Sequence, residues 1–361
     1  VEKLKELCPN NEILFMIKAD AYGHGMVPIT RYAVSELGIK EFGCATLGEA
    51  RKLRDELMDL EFEIYVFSDI HLEFQSCSEF YLNRRIIPVL ANMNDLDFIL
   101  NNPHFAHFPL CLKFNTGMNR LGFDKADVEK VVEKLNGHNR KKVFHLLSHF
   151  ATASKKITTD ENSQCRIQYQ NFLEIKKYFL DNDIEIERSS MANSGAIEQK
   201  FSLEETHIRP GLIIYGPSTM VKEDRALSNW KGQNISRLET YVINRFKVKK
   251  GQLIGYGAVP SPFDGDLLLL ALGYGDGFSA GLYGPTLTID GAKGHILGRV
   301  NMDMTQVVFP GEAPSSLGVG DKFIIWGHNS QDILNFSDQT NTIPYEQFCH
   351  LTVRVPRIYG L

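Results

Sequence analysis

Between residues 10 and 216 the chain repeats one pattern eight times: a short apolar run, then a polar segment with helical spacing. The runs are ILFMIKA, EFGCATL, EIYVFSD, RIIPVLAN, PLCLKFN, VFHLLSHF, IERSSMA and THIRPGLIIYG. Between them, EARKLRDELMDL, ADVEKVVEKLNG and QYQNFLEIKKYFLDN place apolar residues three and four apart, as a helix lying on a sheet requires. The runs are β-branched, aromatic and nearly all apolar, which suits parallel strands covered on both faces. Strand then helix, eight times over, predicts a (β/α)8 barrel; an open doubly wound sheet is the alternative that pattern alone leaves open.

After Asn234 the texture changes. ISRLETYVINRFKVKKGQLIGYG alternates with period two, and LLLLALGYGDG, PTLTIDGAKGHILGRV, MTQVVFP and DKFIIWG follow with glycines between them. Helical patterns return only at YEQFCHLTVR. The expected organisation is an α/β barrel over residues 1–233 and a mostly antiparallel β domain over residues 234–361. A net charge of −5 gives no electrostatic case for nucleic acid or anionic membrane as a partner. The longest apolar run, LLLLAL at Leu267–Leu272, falls far short of the roughly 18 residues a membrane span needs. The six cysteines form no CxxC pair, so reduced thiols and a cytoplasmic location are expected, with no metal site. The opening VEKLKELCPNN lacks both an initiator Met and a signal-peptide core, and the native N-terminus is expected to lie upstream.

In a (β/α)8 barrel the C-terminal strand ends build the active site. Here the first strand ends in Lys18, Asp20 and Tyr22, and the fifth runs into Lys113 and Arg120. The sixth ends in His149, the seventh in Asn193 and Ser194, and the eighth carries Arg209. One such cation usually snorkels to solvent. A whole ring of them looks built for an anion. An amine enclosed beside other cations loses solvation, its pKa falls, and it becomes a nucleophile toward a carbonyl.

KADAYGHG, TGMNRLGF, SHFATA, ANSGA, RPGLIIYG, GYGDG, GRVNMDM and RVPRIY, in this order and over almost the whole chain, resemble the alanine racemase family. That resemblance implies a TIM barrel followed by a β domain, pyridoxal 5'-phosphate as cofactor, and a homodimer with shared active sites. It also implies interconversion of L- and D-alanine, which supplies D-alanine for peptidoglycan. Lys18 matches the lysine that holds the cofactor as a Schiff base and serves as one base. Tyr274 matches the opposite-face base, supplied by the partner subunit; racemisation needs two bases on opposite faces. Arg209 matches the arginine facing the pyridine nitrogen, and His149 the histidine supporting it. Tyr22, Ser194, Tyr359 and the amides of Gly211 and Leu212 match the phosphate site. Arg120 and the Met302 amide match the substrate-carboxylate positions. Lys113 matches a lysine carbamylated in many members, and Asp303 a supporting position. Tyr256 resembles a tyrosine at the entrance to the site.

Each residue also has a plainer reading. Tyr22 and Tyr359 could be packing tyrosines, Ser194 a helix cap, His149 a satisfied buried histidine, Asp303 a turn residue. His24 reads as structural. The chain departs from the family at Asn115, where aspartate is commoner, at Ser190, where histidine is, and at Gly275, where alanine is. Asn115 removes a negative charge beside Lys113 and Arg120, and Gly275 is expected to free the Tyr274 loop. The chain starts later than a typical member, so an opening strand that joins the second domain is expected to be missing. The rival readings are a serine or broad-specificity racemase, a decarboxylase of the same architecture, and a cofactor carrier using the barrel alone.

Overall fold

Each of the eight apolar runs forms a strand in the computed structural model, which describes residues 1–228, 230–282, 284–289, 291–329 and 331–360. They are β1 (Glu12–Met16), β2 (Glu41–Thr46), β3 (Glu63–Asp69), β4 (Ile86–Leu90), β5 (Cys111–Asn115), β6 (Lys142–Leu147), β7 (Glu185–Ser190) and β8 (His207–Ile208). All pair in parallel, in the order β7-β6-β5-β4-β3-β2-β1-β8. Register is set by neighbours such as Phe15↔Phe42, Ile64↔Ile86, Val89↔Cys111 and Val143↔Ile186. A parallel bridge between Asn193 and Arg209 joins the two ends of that order and closes the sheet into a TIM barrel. Thr206 completes the seam: its hydroxyl accepts from the Ser189 amide at 2.8 Å and donates to the Ser189 carbonyl at 3.1 Å. The doubly wound alternative is thereby excluded.

The strands are apolar because both faces are covered. Every residue of β4 is buried, and Leu14, Tyr65, Ile87, Val89, Cys111 and Leu147 form one core cluster. Helices follow the strands: α1 (Met26–Ser35), α2 (Leu47–Glu56), α3 (Gln75–Arg84), α4 (Met93–Asn101), α5 (Val128–Gly137), α6 (Gln164–Asp181) and α7 (Ser194–Glu198), with a 3₁₀ turn over Leu212–Tyr215 after β8. The expectation of nearly all-apolar strands fails toward the strand N-termini. There Arg188 donates to Glu63 at 2.6 Å and to the Tyr65 hydroxyl at 2.9 Å, and stacks on Phe144 at 4.1 Å. A carboxylate–guanidinium pair with an aromatic lid tolerates partial burial where a lone charge does not.

The chain divides into two compact units. The first is Val1–Ile214 with Ser218–Trp230; the second is Tyr215–Pro217 with the segment from Lys231 onward. In the second unit β9 (Leu238–Val248), β10 (Gly265–Leu270), β11 (Thr286–Ile289), β12 (Ala292–Ile296), β13 (Thr305–Pro310) and β14 (Lys322–Trp326) form an antiparallel sheet in the order β11-β12-β13-β10-β9-β14. The periodicity after Asn234 predicts this sheet. Among the described residues no helix is long and apolar enough to cross a membrane.

Candidate active site

β1 stops at Met16, and the chain then does something its residue types disfavour. Ala19, Asp20, Ala21 and Tyr22 all have φ between 52° and 55°. This is a left-handed turn made without glycine, and it costs roughly 1–2 kcal/mol per residue. Gly23 (φ 77°) and Gly25 (φ 89°) end it where a side chain would add to that cost. Backbone bonds hold the turn: Ala21 N–H to the Ile17 carbonyl at 2.8 Å and Gly23 N–H to the Ala19 carbonyl at 2.9 Å. Asp20 Oδ1 accepts from the Met26 amide at 3.0 Å, and His24 Nδ1 lies 2.9 Å from the Ala21 carbonyl. His24 and Asp20 are therefore parts of the turn. Lys18 stands at its start and the buried Tyr22 at its end.

Three elements meet at Gly211. The Ser194 hydroxyl, at the N-terminus of α7, accepts from the Gly211 amide at 2.8 Å. A Cβ on Gly211 would lie 2.5 Å from Tyr22 Oη and 3.7 Å from Ser194 Oγ. Two hydroxyls and a glycine backbone that leaves no space for a side chain make a neutral, hydrogen-bonding cradle whose donors suit an anion. The fully buried Leu212 follows directly.

Arg209 is 4% exposed. One of its terminal nitrogens donates to the Ser190 carbonyl at 2.8 Å and to Ser190 Oγ. The other donates to the carbonyls of Ser148 and Met191. Burial pushes this guanidinium down to about 10, so it stays charged at neutral pH. His149 Nδ1 lies 3.5 Å from Arg209, and its Nε2 3.4 Å from Asn193 Nδ2. Burial, then the charges of Arg209, Arg120, Lys113 and Lys18, hold His149 well below the usual imidazole value, so the ring is neutral. Burial and the charges of Arg209, Arg120 and Lys18 likewise push Lys113 down to about 8. The structure thus brings Lys18, Lys113, Arg120, His149 and Arg209 within one electrostatic neighbourhood. Arg120 itself is exposed. Asn115 turns its oxygen to the Gly117 and Asn119 amides at 3.1 and 3.0 Å, which shapes the loop carrying Arg120.

The second unit holds the remaining positions. Tyr274, 44% exposed, opens a 3₁₀ turn over Tyr274–Asp276. Its amide donates to the Asn301 carbonyl at 2.9 Å, and the Gly275 amide to the Met302 carbonyl at 2.8 Å, so Tyr274 and Met302 lie on two bonded segments. Arg354 clamps both, reaching Asp276 at 3.2 Å and Asp303 at 2.8 Å. At Gly275 a Cβ would lie 2.3 Å from an Arg354 terminal nitrogen, so glycine makes room for the clamp. Tyr359 and Tyr256 are 45% and 69% exposed within this unit.

Sequence reasoning missed three contributors. Ser190, noted only as a departure, accepts from Arg209 and lies 2.8 Å from the buried His145 Nε2. Arg354 belongs to a quoted motif but received no role. Glu49 received none either, although TLGE has the Thr-x-x-Glu spacing of a capping box.

Comparisons with known proteins bear on the family and the fold. The family described as "Alanine racemase, N-terminal domain" matches residues 1–219, and "Alanine racemase, C-terminal domain" matches residues 235–359. The alanine racemase of Nitrosococcus oceani is 31% identical, over 99% of this chain and 95% of that protein. That of Clostridium tetani is 27% identical, over 99% and 92%. The structure of the Bacillus anthracis alanine racemase with bound L-Ala-P superposes with a TM-score of 0.82 at 25% identity, over 99% of this chain and 91% of that one. The Streptomyces coelicolor enzyme gives the same TM-score and identity, over 99% and 93%. With both family domains matched in order and the barrel closed at Arg209, this chain belongs to the alanine racemase family of isomerases.

Proposed function

We propose that the protein interconverts L- and D-alanine with pyridoxal 5'-phosphate, in a homodimer whose active sites each draw on both subunits, and so supplies D-alanine for peptidoglycan in the cytoplasm. The observation that carries this reading is the cradle at Gly211, where Tyr22 Oη, Ser194 Oγ and the glycine backbone gather and a Cβ would fill the space. Hydroxyl and amide donors suit a phosphate dianion. Tyr359 and the Leu212 amide complete that set in this reading.

Lys18 would hold the cofactor through its aldehyde at rest; with the substrate's amino group in that place instead, the cofactor would supply an electron sink that acidifies the α-hydrogen, and the released Lys18 amine would be free to act as a base. The chain's own groups do the rest. Lys18 Nζ takes or returns the proton on one face, and Tyr274 Oη of the partner subunit on the other. Residues 234–361 therefore serve the neighbouring subunit's site. Arg209 donates a hydrogen bond and keeps its proton, because a guanidinium at about 10 does not release it at neutral pH. Neutral His149 adds no charge beside it. Arg120 and the Met302 amide hold the substrate carboxylate. An amine at about 8 has a neutral fraction near neutral pH, which is the form that adds CO2. A carbamate on Lys113 reverses its charge and pairs it with Arg120.

Two measurements test this. Borohydride reduction of the cofactor-loaded protein, followed by peptide mapping, is expected to place a pyridoxyl adduct on the peptide bearing Lys18. Incubation with L-alanine in deuterium oxide is expected to give D-alanine carrying deuterium at Cα, without CO2 release. An adduct elsewhere, or CO2 without exchange, defeats the reading.

A further inference from the structure

The left-handed turn between Lys18 and Gly23 is held against its own preference, and one side chain outside it does much of the holding. Glu49, in the first turn of α2, accepts the Ala19 amide on Oε1 at 2.7 Å. On Oε2 it accepts the Ala45 amide at 2.7 Å and the Thr46 amide at 3.3 Å. Thr46 Oγ1 answers by accepting the Glu49 amide at 3.2 Å. A capping box ordinarily serves only its own helix. This one spends half its carboxylate on the next turn of the barrel rim, at the first residue after Lys18.

We infer that Glu49 is a positioning residue for the cofactor site: it fixes the amide that launches the left-handed turn, and thereby sets where Lys18 leaves β1 and where Tyr22 meets Gly211. The turn contains no glycine, so its conformation needs support, and beside its own backbone bonds Glu49 anchors its first amide from outside. Tyr22 arrives at Gly211 with no slack, since a single added Cβ there would lie 2.5 Å from its hydroxyl. Relaxation of the turn therefore moves both groups that this reading assigns to the cofactor. The inference rests on the proposed pyridoxal phosphate site but concerns a segment whose behaviour can be followed without it.

The chemistry of Glu49 supplies the test. Three N–H groups point at its two oxygens, so an amide cannot replace it: one end of a glutamine would present hydrogens to donors. Glu49→Gln is expected to speed hydrogen–deuterium exchange of the 17–25 segment in cofactor-free protein. It is also expected to weaken binding of pyridoxal 5'-phosphate, followed by its visible absorbance, by about tenfold or more. Thr46→Ala removes the ordinary half of the cap; it should lower the unfolding midpoint while leaving both readouts near wild type. Should Glu49→Gln not fold, Glu49→Asp serves, because its shorter carboxylate retains the cap and withdraws from Ala19. Unchanged exchange in the Glu49 variants, unchanged cofactor affinity, or equal effects from Thr46→Ala would overturn the inference. If wild-type protein fails to bind pyridoxal 5'-phosphate, the functional reading falls, and the exchange data still decide whether Glu49 holds the turn.

Discussion

Lys113 shows how much one buried charge matters here. Its folded-state pKa of about 8 lies below the ordinary 10.5 because burial and three neighbouring cations disfavour its proton. Between those values the unfolded chain binds more protons than the folded one, so stability rises with pH across that window. At pH 7 the penalty is roughly 3 kcal/mol. In CO2-free buffer, Lys113→Met should recover much of it and abolish the rise, as urea titrations from pH 7 to about 11 would record. Two glycines make a second contrast at this scale. Gly211→Ala pushes on the hydroxyl end of the buried Tyr22 side chain rather than on backbone, so the ring must leave its place at the cradle while the fold holds. The expected result is a folded protein with about tenfold weaker affinity for pyridoxal 5'-phosphate in an absorbance titration. Gly195→Ala puts a Cβ 2.3 Å from the Ala153 carbonyl, which cannot swing. Thermal unfolding should show a loss of about 1–3 kcal/mol.

Elements divide into those whose cause is local and those whose cause is remote. The strands and helices were legible because apolar spacing is written within each segment, as in QYQNFLEIKKYFLDN and α6. The turn after β1 was not. Ala-Asp-Ala-Tyr has no preference for positive φ, and Glu49, which anchors its first amide, lies 30 residues further along, in α2. The support of Arg209 was hidden for a related reason: most of its acceptors are backbone carbonyls, at residues 148, 190 and 191, which any residue type supplies. The approach of Arg354 to Gly275 was hidden too, because it is a contact between distant parts of the sequence. The candidate cations could be read because they fall near the C-terminal ends of the barrel strands or just after them, where a strand delivers its side chains to the rim, Lys113 within β5 itself. Relieving the turn tests its strain directly. Ala19 is exposed and loses little packing, so Ala19→Gly should stabilise the protein by about 0.5–1 kcal/mol in a thermal melt.

At the scale of the whole molecule, the proposed sharing of sites between subunits makes a prediction that no single chain can satisfy. Lys18→Ala and Tyr274→Phe proteins should each be nearly inactive. Refolded together, they should regain activity, because one site of a mixed dimer then draws an intact lysine from one chain and an intact tyrosine from the other. A mixture as inactive as its parts would show that each subunit works alone. The barrel has its own unity. Its last stave, β8, is two residues long, and it is joined to the β7 side by the Asn193–Arg209 bridge, the Thr206 hydroxyl and the Arg209 guanidinium on Ser190. The stitch that closes the cylinder therefore carries the arginine proposed above to face the cofactor. Breathing at the joint and displacement of Arg209 become a single event, so a ligand that fastens to that rim would also act as the hoop that keeps the staves together.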